Sequence, residues 1–124
     1  MPQYMLLIYP PVDIPPRDGM IDRWQTFNDE VARDGVLITS GRLQTLDSAT
    51  TVRVREGETL ISDGPFAETK EFLGGFYLVE CEDLDQALKY AAHMPLDDYG
   101  TVEVRPMMFP AGTTAADMKA AAEA

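Results

Sequence analysis

The stretch Ser62-Asp63-Gly64-Pro65-Phe66-Ala67-Glu68-Thr69-Lys70-Glu71-Phe72-Leu73-Gly74-Gly75-Phe76-Tyr77-Leu78-Val79 decides the fold. A carboxylate, a glycine, a proline and an aromatic in succession fix a backbone bend and leave Asp63 at a strand end. Alternating charge at Glu68, Lys70 and Glu71 then leads into Phe76-Tyr77-Leu78-Val79, an apolar run with no polar alternation. It reads as a strand with two apolar faces, and such a strand needs cover on both sides. Tyr4-Met5-Leu6-Leu7-Ile8-Tyr9 repeats the pattern near the amino-terminal end.

Outward from these two runs, Pro10, Pro11, Pro15 and Pro16 predict a stiff, extended connection that neither joins a sheet ladder nor starts a helix. A helix follows from Asp18 to Asp34, with Asp18 as N-cap, Asp22 in the first turn and Gly35 as its stop. Met20, Trp24, Phe27 and Val31 recur along it on one narrow stripe. Val36 to Leu43 is strand-like. Thr51–Arg55 and Glu58–Ser62 flank the turn dipeptide Glu56-Gly57, which predicts a hairpin. Asp83 and Gln86 form a capping pair for a second helix whose apolar face is Leu84, Ala87, Leu88 and Ala91, and Pro95 ends it. Residues 101 to 106 alternate Val102 and Val104 with Glu103 and Arg105, as in a strand with one polar face. The alanine-rich tail from Ala111 to Ala124 has little to bury, so it either forms a marginal helix or frays.

The order strand, helix, strand, hairpin, strand, helix, strand contains two similar halves. It predicts an α+β, ferredoxin-like βαββαβ domain over residues 1–110 with an inserted β-hairpin, followed by the tail 111–124. Two helices cover one sheet face. The doubly apolar strands therefore leave a second apolar face, most simply buried against the same face of an identical chain. A homodimer with two sheets packed face to face is the expectation.

The chain has 124 residues and a formal net charge of −11, which repels phosphate backbones and anionic membranes, so nucleic acid and lipid are poor partners. A lone cysteine, Cys81, excludes an intrachain disulfide and sits in an apolar context that suggests a buried thiol. No basic region precedes a long apolar stretch, so neither a secretion signal nor a membrane span is expected, and a cytoplasmic setting fits. One histidine and one cysteine cannot build the usual zinc sites, and Gly74-Gly75 precedes a strand rather than opening a helix. No metal and no cofactor are expected.

The Asp63-Gly64-Pro65-Phe66 segment, with the strand that follows it, resembles the signature of the DGPF branch of the YCII-related proteins, and the likeness extends from Tyr4–Tyr9 to Val102–Pro106. The resemblance implies a dimeric α/β barrel, a group that includes enzymes holding small molecules between sheet and helices. It also implies frequent association with alternative sigma factors in bacterial genomes. In the other branch of that family, a histidine in the first helix and an aspartate before the proline that ends the second are proposed as a catalytic pair. Neither is in place here: the first helix has Trp24, Gln25 and Asn28 but no histidine, and Met94 stands before Pro95. Only the signature-loop residues carry over.

Asp63 is accordingly the candidate catalytic residue, either moving a proton or capping its own turn. Candidate ligand contacts are Phe66, Glu68, Lys70, Tyr77 and Arg105. Glu68 and Lys70 either position a polar ligand or form a solvated ion-pair run. Arg105 either binds a carboxylate or pairs with Asp63 or Glu103. Phe76 and Tyr77 point to opposite faces, so one of them faces the dimer side or cleft. His93, in the last helical turn, most simply favours the helix C-terminus. Two functions remain open: a module that binds a small organic molecule without catalysis, and a cofactor-independent lyase or isomerase that uses Asp63 as acid or base.

Overall fold

The computed structural model describes residues 1–11, 17–67 and 71–124. The elements are β1 (Gln3–Tyr9), α1 (Met20–Arg33), β2 (Leu37–Arg42), β3 (Thr50–Arg55), β4 (Glu58–Asp63), β5 (Gly75–Glu80), α2 (Leu84–His93), β6 (Thr101–Pro106) and α3 (Ala115–Glu123). A 3-10 turn at Leu46–Ser48 precedes β3. Four strands form one antiparallel sheet in the order β2-β5-β1-β6, and β3 and β4 form a separate two-stranded sheet. The architecture is α+β and compatible with the ferredoxin-like arrangement carrying an inserted hairpin. The four-stranded sheet is open and does not close into a barrel.

Strand alternation assigns every side chain of β1 to a face. Tyr4, Leu6 and Ile8 turn toward the helices, where Leu6 is fully buried against a core that includes Phe27, Val31, Val79, Cys81, Ala87 and Tyr90. Met5, Leu7 and Tyr9 take the opposite face with Phe76 and Leu78 of β5, because directly paired residues share a side. Both faces of β1 and β5 are thus apolar, as their sequences predict, and the helices cover one of them. A bulge in β2 between Leu37 and Thr39 resets its alternation, so that Ser40 pairs with Tyr77 and Arg42 with Gly75.

The helix boundaries depart from the sequence reading in detail. Gly19, at φ 70, occupies the N-cap of α1, and no side chain caps it. Asp18 is displaced because the chain enters the helix through a left-handed residue that glycine adopts without strain. Asp83 does cap α2, accepting from the Gln86 N–H, and Gln86 returns a bond to the Glu82 N–H, one residue earlier than a regular capping box. The buried face of α2 is Ala87, Tyr90 and Ala91, whereas Leu84 and Leu88 stand half out of it. Tyr90 takes the central position because its hydroxyl finds a partner on α1. In the tail, Thr114 and Asp117 form a capping box that starts α3, and no residue of α3 is buried.

The proline-rich connection does join a ladder briefly. Pro11 bridges to Glu71, and the Pro10 carbonyl accepts from the Phe72 N–H, which requires no N–H from either proline. Pro15 and Pro16 lie outside the described residues.

Glycines allow β2 and β5 to meet closely. A Cβ on Gly75 would lie 2.8 Å from the Gly41 carbonyl oxygen, a backbone atom that cannot rotate away. Gly75→Ala is therefore expected to lower stability by about 1–3 kcal/mol. A denaturation midpoint unchanged from wild type would contradict this close approach.

Candidate functional site

The helical stripe Trp24, Phe27 and Val31 brings α1 onto β5, and Asn28 comes with it one residue off the stripe. The indole of Trp24 stacks on the ring of Tyr77 with centroids 6.2 Å apart and planes 9° from parallel. Phe27 meets Tyr77 edge-on at 5.1 Å. The Tyr77 hydroxyl donates to Oδ1 of Asn28. Burial pushes the phenol above its ordinary pKa, so it stays a neutral hydrogen-bond donor at physiological pH.

Because α1 lies over β5, the helix-side surface of the edge strand β2 stays uncovered beyond it. Ser40 and Arg42 stand there exposed, on the same face as Tyr77, and Arg42 pairs with no described residue. A half-buried aromatic stack, a neutral phenol–amide pair, a hydroxyl and an exposed guanidinium share this side of the sheet. The set can hold a flat apolar body against Trp24 and direct an acceptor or carboxylate toward Arg42.

Two further contacts lock α1 to α2. Nδ1 of His93 lies 2.7 Å from Oε2 and 3.1 Å from Oε1 of Glu30. The Tyr90 hydroxyl donates to Oδ2 of Asp34 at 2.8 Å. That bond holds the Asp34 carboxyl below its usual range, while burial first and then Asp34 push the phenol up to about 12. Residues four apart on α1 thus face residues three apart on α2.

At the far end of α2, Asp97 accepts from Nη1 of Arg17 at 2.5 Å and from Nη2 and Nη1 of Arg23 at 2.5 and 3.0 Å. Arg17 also donates to the Leu96 carbonyl and lies 5.1 Å from the Tyr99 ring centre. The Arg23 and Arg17 hydrogen bonds hold the Asp97 carboxyl at about 2. Its backbone sits at φ 55, a region Asp and Asn tolerate better than most residues. A groove of about 570 Å³ opens beside it between α2 and β6, lined by Leu88, Ala91, Leu96, Val102 and Val104 among others. Asp97, the charged group in its lining, is already held by two arginines.

The structure does not gather the sequence-predicted residues into one place. Asp63 ends β4, exposed, and its carboxylate bonds to no described residue. Phe66 is 77% exposed, and its carbonyl accepts from Arg53. Tyr77 lies on the helix side. Arg105 lies on the opposite sheet face with Met5, its Nη2 bonded to Glu103 at 2.9 and 3.0 Å. Glu68 and Lys70 lie outside the described residues. The sequence reading missed Asn28, Arg42 and the Glu30–His93 contact. The helical offset of Asn28 from Trp24 was the available signal for the first, and nothing local marks the other two.

A family model described as the YCII-related domain matches residues 2–109. An uncharacterised protein of Rhizobium meliloti (strain 1021) is 47% identical over 104 residues, covering 73% of this chain and 84% of the relative.

The Asp97 cluster gives an acid-limb prediction. A carboxyl held at about 2 in the folded state, against roughly 3.9 when unfolded, contributes stability that is complete above the unfolded value and lost as pH falls through about 2. Between pH 4 and 2, wild type should lose stability more steeply than Asp97→Asn, in which the left-handed backbone is kept and the charge removed. Parallel curves of denaturation midpoint against pH would remove Asp97 from the acid response.

Proposed function

Because the chain belongs to the YCII-related family and carries this aromatic and polar set beside an uncovered strand, we propose that it is a binding protein for a small organic acid. The observation that carries the reading is the Trp24–Tyr77 stack with Asn28 hydrogen-bonded to the phenol and, on the same sheet face, Arg42, which pairs with no described residue. The ligand's planar body lies on Trp24, and its carboxylate meets Arg42 where the signature segment re-enters the sheet at Gly75. The working unit is a homodimer that packs the Met5, Leu7, Phe76 and Leu78 faces of two sheets together, in a cytoplasmic setting. Support for that pairing is the apolar character of the sheet face opposite α1 and α2, as read from the strand register.

Trp24 is the sole tryptophan, so its emission reports the site directly. Titration with a panel of aromatic and heteroaromatic carboxylates is expected to give a saturable change in emission. Arg42→Ala should weaken the best binder about tenfold, and Tyr77→Phe should weaken it less. No saturable change across the panel would overturn the reading.

A second reading rests on the exposed Asp63 carboxylate, which bonds to no described residue and is able to take a proton from a substrate. If the protein is a lyase or isomerase, Asp63→Asn abolishes turnover of the bound acid while binding and the denaturation midpoint stay at wild-type values. Turnover equal to wild type would remove Asp63 from any chemistry.

A further inference from the structure

We infer that the β3–β4 hairpin is an arm that clasps a second copy of this chain; the inference rests on the homodimer proposed above and extends it to a surface outside the sheet. The arm is built to be rigid. Glu56 at φ 53 and Gly57 at φ 82 form a two-residue turn with both φ values positive, the geometry that matches strand twist. Gly64 N–H bonds to the Ala49 carbonyl at 2.7 Å, and the Thr51 hydroxyl bonds to the Gly64 carbonyl at 2.7 Å, closing the base.

The register sorts the arm into two faces. Val52 opposes Ile61 and Val54 opposes Thr59 on one, while Arg53 opposes Leu60 and Arg55 opposes Glu58 on the other. Val52 and Val54 are each 59% exposed and Ile61 70%. The extensive contacts of each arm strand are with the other. A two-stranded hairpin alone is marginal in water, and this one shows a β-branched face to solvent.

Charge and area argue that the occupant is a second copy. Two chains of net charge −11 repel wherever carboxylates face each other. The Val52, Val54 and Ile61 face carries one ionisable group, Asp63 at its base, and the centre of the open sheet face carries none. These are surfaces on which two copies meet without opposing charges. A stable interface needs about 800 Å² per partner. Met5, Leu7, Phe76 and Leu78 are already half-buried or buried, so they supply too little alone. Leu43 and Leu73, exposed where the arm leaves and rejoins the sheet, carry the apolar surface outward. Each arm then lies on the other chain about a two-fold axis.

Sedimentation of the full chain across a concentration series tests this, with hydrogen exchange read on the arm amides. Wild type should be a dimer whose Thr50–Asp63 amides slow as concentration rises. The double variant Val52→Glu, Ile61→Glu should raise the dimer dissociation constant about a hundredfold with unchanged circular dichroism, whereas Ser62→Glu, on the arm's other face, should not. A dimer weakened by Leu7→Glu but indifferent to the arm variant would overturn the clasp and leave the sheet-face dimer standing. A wild-type monomer at every concentration would overturn both.

Discussion

The pairing of β1 between β5 and β6 is the constraint on which the rest of the molecule depends. With both neighbours antiparallel and in register over the length of β1, each of its side chains is committed to one face. A slip of one residue would push Met5 and Leu7 under the helices and expose Leu6, which is fully buried in the core. The cost of that exchange is what makes the register unique. The helices then have one surface to settle on, and their own stripes decide how they settle.

The same alternation divides the chemistry. Consecutive aromatics on β5 part company, Tyr77 to the helices and Phe76 to the open face, where its ring sits close to Gly41. Arg105 and Glu103 follow Met5 and Leu7 onto the open face, where their ion pair borders an apolar surface. On the helix side, the acidic residues of α1 are put to work: Glu30 and Asp34 hold His93 and Tyr90 of α2. The pair proposed in the other YCII branch, an imidazole on the first helix and an acid before the proline that ends the second, is not carried over to this chain. In this chain the acid Glu30 is on α1 and the imidazole of His93 on α2.

Family membership specifies a scaffold more than a reaction, since one fold hosts many chemistries. What distinguishes this chain is where the helices stop. Two of them cannot cover four strands, and on the exposed helix-side strip of β2 Arg42 pairs with no described residue beside a half-buried aromatic stack. In the signature segment, Asp63 and Phe66 stand on or beside an arm. A chain this acidic keeps apolar, uncharged surface for contacts it needs, and the arm and the open sheet face are such surfaces.

Much of this was legible from residues alone. The doubly apolar runs at Tyr4–Tyr9 and Phe76–Val79, the stripe through Trp24, Phe27 and Val31, the Glu56-Gly57 turn, the Asp83 cap and the buried Cys81 follow from periodicity and turn chemistry, which act over a few residues. Tertiary structure decided the remainder. Gly19 rather than Asp18 opens α1, because the entry angle of the chain and not the best capping side chain governs that position. Tyr90 displaces Leu84 and Leu88 from the core because a partner for its hydroxyl waits on a different helix. Asp63, Tyr77 and Arg105 end on three separate surfaces for the same reason: local pattern says which side of a strand a residue occupies, but long-range pairing alone says what lies on that side.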